Sequence, residues 1–384
     1  MEYRECTKLL FDTHDDPSMT FDKDGVCNYY YEYLEAKKNY VKTGAEGEAA
    51  VQHFIKYARE KRTGEYDCII GVSGGVDSTY MLHLVKEEMG LNPLAVHFDN
   101  GWNSELAVKN IESVTQKLGI DLQTYVIDWE EFKDIQKAYF DAGVIDLEVP
   151  TDHAIYGAMY KLAMDNNIKV IFSGVNVVSE SIMPHHWSYD KMDFINLLDI
   201  HKRFGKVKLN NYPLVDNAFR KKIDGANIEV FRLLNYVPYN KKDVESLLEN
   251  QLGWKPYGGK HYESIFTRFY QGYILPKKFG VDKRKAHLSN LICSDQMTKE
   301  EAKKIIAVSD YPEDLQAQDK EYVCKKLNFS PEWFEEYMKK PEVPHTFYLN
   351  AKSSLYERYP MLAPMRPIGN IVKKMFNMKY RAIK

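Results

Sequence analysis

Short apolar runs alternate with amphipathic stretches between residues 66 and 178. The runs at 67–72, 94–98, 122–127 and 170–173 read as strands, and 78–89, 103–118 and 152–166 between them carry helical spacing. A further helical pattern covers 46–62 and stops at Thr63-Gly64. Strands and helices alternating at these lengths predict an α/β fold with a doubly wound parallel sheet, whose ligands sit at the carboxyl ends of the strands. Residues 1–45 look different. Loop chemistry dominates there, with turns at Asp16-Pro17 and Asp24-Gly25. Beyond about residue 210 the pattern turns mostly helical, with apolar faces at Val244, Leu247, Leu248, Leu252 and at Ala302, Ile305, Ile306, Val308. The expected partition is therefore 1–45, an N-terminal segment; 46–210, a nucleotide-type α/β domain; and 211–384, a helical substrate or partner region.

The most informative junction is Ser73-Gly74-Gly75-Val76-Asp77-Ser78, between the first strand and its helix. Two glycines let backbone approach an anion, and a fresh helix N-terminus offers unpaired N–H groups and a positive dipole end. Ser73 and Ser78 add hydroxyls. Asp77 would repel phosphate unless a divalent cation bridges them, so it points to Mg²⁺. No Lys-Ser or Lys-Thr follows at Walker spacing, and GxGxxG is absent. The run after the second strand, His97-Phe98-Asp99-Asn100-Gly101, is where a nucleotide sheet meets adenosine, with His97 and Asp99 as candidates; a plain turn is the alternative. Gly174 and Asn176 follow the fourth strand as further ATP-binding candidates, and Glu180 is a second metal or substrate candidate.

Two later regions carry charge and aromatic rings. His185 and His186 precede Trp187, which offers a stacking face for a sugar; a surface loop is the competing reading. His261, Glu263 and Arg268 lie in a glycine-marked stretch beginning at Gly258-Gly259. Lys278, Lys283, Arg284 and Lys285 are cations for a departing pyrophosphate, against the plainer reading of a solvated face. Lys283 and Arg284 are the pair expected to act in catalysis. The basic end, Lys373, Lys374, Lys379, Arg381 and Lys384, reads as a solvated or subunit-contacting tail.

Composition narrows the classes. A net charge of −3 over 384 residues gives no global field for nucleic acid or an acidic membrane. No leader-like segment is apparent and no apolar run reaches the roughly 20 residues of a membrane helix, so a cytoplasmic protein is expected. Five scattered cysteines make no disulfide framework. The 28 tyrosines suit interfaces and sugar clefts, or half-buried packing. Cys6 and Cys27 raise a zinc question, but Leu9 and Tyr30 stand where their partners would be, so a degenerate zinc ribbon without zinc is expected.

The glycine loop resembles the SGGxDS signature of the ATP pyrophosphatases, the PP-loop group of the adenine nucleotide alpha hydrolase-like (HUP) fold. Further segments resemble one branch, the N-acetyl sugar amidotransferases of lipopolysaccharide and surface-glycan biosynthesis, the WbpG/PseA type. They are Asp22-Lys23-Asp24-Gly25-Val26-Cys27-Asn28, Pro150-Thr151-Asp152-His153 and Lys260-His261-Tyr262-Glu263-Ser264, with the runs over 279–289 and 292–302. The resemblance implies that ATP, with Mg²⁺, adenylates the acetamido oxygen of a sugar and that ammonia then displaces AMP to leave an acetamidino group. No Cys-His-Glu set at triad-like positions is apparent, so ammonia is expected from a separate glutaminase and cyclase-like partner pair, with no nucleic-acid partner. The identity of the sugar, its attachment to a nucleotide and a homo-oligomeric state stay open. A tRNA-thiolating enzyme using the same ATP chemistry is the alternative. It needs a sulfur-carrying cysteine near the site and a basic RNA face.

Overall fold

The computed structural model describes residues 2–259 and 261–358. Lys260 and the basic end, including Lys373 to Lys384, lie outside the described residues. Its centre is a sheet of five strands in the order β3-β2-β1-β4-β5, all pairs parallel. The strands are β1 (Cys68–Val72), β2 (Pro93–Asp99), β3 (Asp121–Val126), β4 (Val170–Phe172) and β5 (Glu229–Phe231). The predicted strands are found. The fifth lies beyond residue 210; at three residues, with Glu229 and Val230 exposed, it carries no readable pattern.

Helices enclose the sheet in chain order: α1 (Asn28–Tyr40), α2 (Ala45–Lys61), α3 (Val76–His83), α4 (Glu105–Leu118), α5 (Trp129–Ala142), α6 (Val149–Asp165), α7 (Val177–Glu180), α8 (Phe194–Phe204) and α9 (Asn217–Ala226). The C-terminal half adds α10 (Lys241–Leu247), α11 (Ile265–Phe269), α12 (Lys283–Cys293), α13 (Lys299–Ile306), α14 (Glu313–Leu327) and α15 (Pro331–Lys339). α4 shows how sequence sets a boundary: Ser104 accepts from the Ala107 N–H at its start, and Gly119 ends it at φ +59°. β1 and β2 bury their apolar side chains on both faces, as a helix-covered parallel sheet requires.

α1 corrects the loop-dominated reading of residues 1–45. Its tyrosine-rich run is helical because Tyr29 and Tyr33, one turn apart, are both buried. Ahead of it, Cys6 Sγ accepts from the backbone N–H groups of Leu9 (3.4 Å) and Cys27 (3.2 Å). The hydrogen bond from the Cys27 thiol and those backbone donors bring Cys6 down to about 6. Leu9 is fully buried where a ligand pair would be completed. Among the described residues no group of three or more His, Cys, Asp or Glu side chains is arranged to hold a metal ion. The segment docks on the far end of the chain: Leu10 N–H donates to Ser289 Oγ (3.3 Å), Lys285 reaches Asp12 (3.1 Å) and Asp15 (2.6 Å), and Lys299 donates to the Cys6 carbonyl (2.5 Å).

Behind α5, His345 is buried, stacks on Tyr189 at 4.2 Å and hydrogen-bonds Asn196 Oδ1 through Nδ1 at 3.0 Å. Burial pushes its imidazole down to about 4, against the pull of Asp146. A histidine held neutral below its unfolded value of about 6.5 contributes stability in full above that pH and loses it as pH falls through the folded value, roughly 3 kcal/mol in all. Denaturant titrations between pH 6.5 and 4 should therefore show a flatter pH slope for His345→Gln than for the natural chain. Parallel slopes would assign the acid sensitivity to other groups.

Candidate active site

The glycine turn sits at the switch point of the sheet, where β1 has β2 on one side and β4 on the other. Gly74 adopts φ +82°, open to glycine and strained for other residues, and a Cβ there would lie 2.7 Å from the Ala107 carbonyl oxygen. The turn is laced internally: Ser78 Oγ donates to the Gly75 carbonyl (3.1 Å), and Gly75 N–H donates to Ser73 Oγ (3.2 Å). The Gly74 carbonyl accepts from Trp254 Nε1 (2.8 Å) and Tyr257 Oη (2.9 Å), so a segment some 180 residues on fixes the loop.

A cavity of about 380 Å³ opens over this turn. It is lined by Ser73, Gly75, Asp77 and Ser78, by Gly174 just after β4 and Glu180 at the end of α7, and by His261 and Glu263. Those predicted residues are thus brought together. Tyr239, Lys241, Glu245, Trp254, Tyr257 and His287 also line it and were not singled out from sequence. Tyr239 Oη donates to Asp77 Oδ1; burial, then the Asp77 charge, raises its phenol well above the usual tyrosine range. The carboxylates Asp77, Glu180, Glu245 and Glu263 face Lys241, which approaches Glu245 at 3.8 Å, and the ring of His261, 3.5 Å from Glu263. The wall suits a bridging cation beside phosphate better than bare phosphate. Trp254 and Tyr257 lie just before the glycine pair at 258–259, and that adjacency was the available signal.

Other predicted residues are placed elsewhere. His97 is buried, with Nδ1 against the Val72 carbonyl (3.3 Å) and Nε2 against Asn103 (3.2 Å). Asp99 accepts from Gly101 N–H (2.8 Å) and Asn103 (3.2 Å), which builds the turn. Asn176 caps α7, accepting from Ser179 N–H at 2.9 Å. Arg268 forms a two-pronged pair with Asp319, both bonds 2.7 Å. Arg284 is held by Asp282 (2.8 Å) and Asp310 (3.5 Å), while Lys283 turns to Glu148 (3.9 Å); neither lines the cavity. His185 and His186 lie near Glu32 (3.9 Å) and Asp16 (3.8 Å). Trp187 is fully buried, donating to the Asp15 carbonyl, so its face is not offered to a sugar.

Comparison with known proteins matches two separate segments of the chain. Residues 48–175 match the NAD synthase family, and residues 263–362 match the LPS biosynthesis protein WbpG-like C-terminal domain. Together the two matches support a PP-loop enzyme with a WbpG-like C-terminal part. The Ser73–Ser78 loop falls in the first match, and Glu263, His287 and Leu291 of the cavity wall fall in the second. An uncharacterised protein of Methanocaldococcus jannaschii is 30% identical over 134 residues, 35% of this chain and 47% of that protein. The chain thus spans about half the length of that relative. The structure of NMN synthetase from Francisella tularensis aligns with 59% of this chain and 93% of its own at 12% identity and a TM-score of 0.29, too weak a likeness to bear on the site. No helix among the described residues is long and apolar enough to cross a membrane.

Proposed function

We propose that this chain uses ATP to activate the acetamido oxygen of an N-acetylated sugar and replaces that oxygen with ammonia, giving an acetamidino sugar for surface-glycan assembly. The observation that carries the reading is the composite cavity: its floor is the PP-loop at the sheet's switch point, and part of its wall comes from the WbpG-like segment. In the reaction the acetamido oxygen attacks the α-phosphorus and the α–β bridge bond breaks, releasing pyrophosphate. Ammonia adds to the activated carbon, the carbon–oxygen bond breaks, AMP leaves with the former acetamido oxygen, and a proton is lost. An amide oxygen is a poor leaving group and AMP a good one, so adenylation supplies the driving step.

The chain's own groups have definable tasks. The backbone N–H groups of the turn and the hydroxyls of Ser73 and Ser78 receive phosphate oxygens. Asp77, with Glu180 or Glu263, would hold Mg²⁺ against them, and that ion would neutralise phosphate charge. Lys241 is the lysine at the cavity wall suited to the departing pyrophosphate. Ammonia comes from a separate glutaminase and cyclase-like pair. All five cysteines are buried, which favours this reading over tRNA thiolation, where a cysteine must present its sulfur.

The test uses a panel of acetamido sugars with ATP, magnesium and ammonium, the acetamido oxygen carrying a heavy isotope. The label should appear in AMP, and the sugar product should be lighter by the difference between oxygen and NH. Label retained in the sugar, or AMP release that no sugar stimulates, would overturn the reading.

A further inference from the structure

One turn away from the cavity lies a charged cluster that the adenylation chemistry leaves unused. Asp146 is fully buried and accepts from Lys191 Nζ (2.5 Å) and Tyr189 N–H (2.8 Å). Lys191 also pairs with Asp152 Oδ2 at 3.2 Å. Glu148 accepts from Thr267 Oγ1 (2.6 Å) and Gln271 Nε2 (3.0 Å) and faces Lys283 at 3.9 Å. Side-chain exposure rises outward along this row, from 0% at Asp146 and 11% at Glu148 and Lys283 to 23% at Lys191 and 41% at Asp152. The row therefore runs from the core to an open end. Two buried polar atoms near Asp146, Tyr139 Oη and His345 Nε2, have no hydrogen-bond partner among the described residues.

The row adjoins the cavity through two elements. On α12, His287 lines the cavity and Lys283, one turn earlier, faces Glu148. Around the start of α11, Glu263 lines the cavity and Thr267, four residues on, donates to Glu148. The row thus lies about one helical turn from the cavity wall at His287, roughly 5–6 Å along α12. Three carboxylates and two ammonium groups in one row match a neutral ligand rich in hydroxyls: carboxylates accept from them, and lysines donate to hydroxyl or carbonyl oxygens. The near-balanced charge suits neither a polyanion nor a lipid surface.

Resting on the proposed function, we infer that Asp152, Lys191, Glu148 and Lys283 form the acceptor site, which binds the hydroxyls of an acetamido sugar and points its amide oxygen at the PP-loop cavity. Lys283 is thereby moved from the pyrophosphate to the sugar. The purified full chain, assayed for sugar-dependent AMP release, tests this with Asp152→Asn, an isosteric change at the exposed end of the row. Its sugar KM should rise at least about tenfold, with ATP KM and thermal midpoint unchanged. Should that variant lose its fold, Lys283→Gln is read in the same way. An unchanged sugar KM, or ATP KM rising in parallel, would overturn the site while leaving the reaction intact. Absence of AMP release with every sugar in the natural chain would instead sink the reaction, and the site with it.

Discussion

AMP formation is expected to fall by about a hundredfold or more in Asp77→Asn, with the fold retained. Asp77 lies in the first turn of α3, lines the cavity and accepts a hydrogen bond from Tyr239. An amide of the same shape keeps a partner for Tyr239, so the change isolates charge from packing. It leaves a much weaker ligand for a hard cation beside the phosphates. The measurement is the rate of AMP release across a magnesium series, with circular dichroism as the check on structure. Normal activity with an unchanged magnesium requirement would remove Asp77 from the site.

Gly74→Ala is the second large effect, and its cause is steric. Adopting φ +82° costs a non-glycine residue about 1–2 kcal/mol, and the new methyl would lie 2.7 Å from a backbone oxygen of α4 that cannot swing away. Relief requires the turn to shift, which breaks the paired donation of Trp254 and Tyr257 to its carbonyl. Binding of ATP should weaken at least about tenfold, and the thermal midpoint should drop by several degrees. Gly258→Ala is the control: it also has positive φ, +88°, but no atom of the described residues lies within 4 Å of the added carbon. Comparable losses in both would show that backbone conformation alone, and not the α4 contact, fixes the loop.

Among the strands before residue 180, β1, β2 and β4 were legible because each is short, apolar and bounded by a helical period, whereas β3 is largely exposed and was marked by its place between two helical patterns. The PP-loop was legible because close approach to an anion restricts residue type at several adjacent positions. Tyr239, Trp254 and Tyr257 were not, since aromatic residues are common here and only tertiary contact separates a loop clamp from core packing. Arg284 illustrates the opposite case. A cation near glycine and histidine reads as a pyrophosphate ligand, yet Arg284 faces its own carboxylate, Asp282, just as the substrate candidate Arg268 faces Asp319. Sequence gives charge and spacing but not which neighbour claims the charge. The same ambiguity hid Asp146 and Lys191, 45 residues apart and joined in the core.

The docking of the first residues onto α12 and α13 has a consequence for biogenesis. Cys6, Leu10, Asp12 and Asp15 are made 270 or more residues ahead of their partners Ser289, Lys285 and Lys299. Contacts of such separation form late and slow the search for the folded state. Leu9, Phe11 and Tyr29 are buried in this segment. Growing chains therefore hold these apolar side chains without their full cover until α12 and α13 have been synthesised.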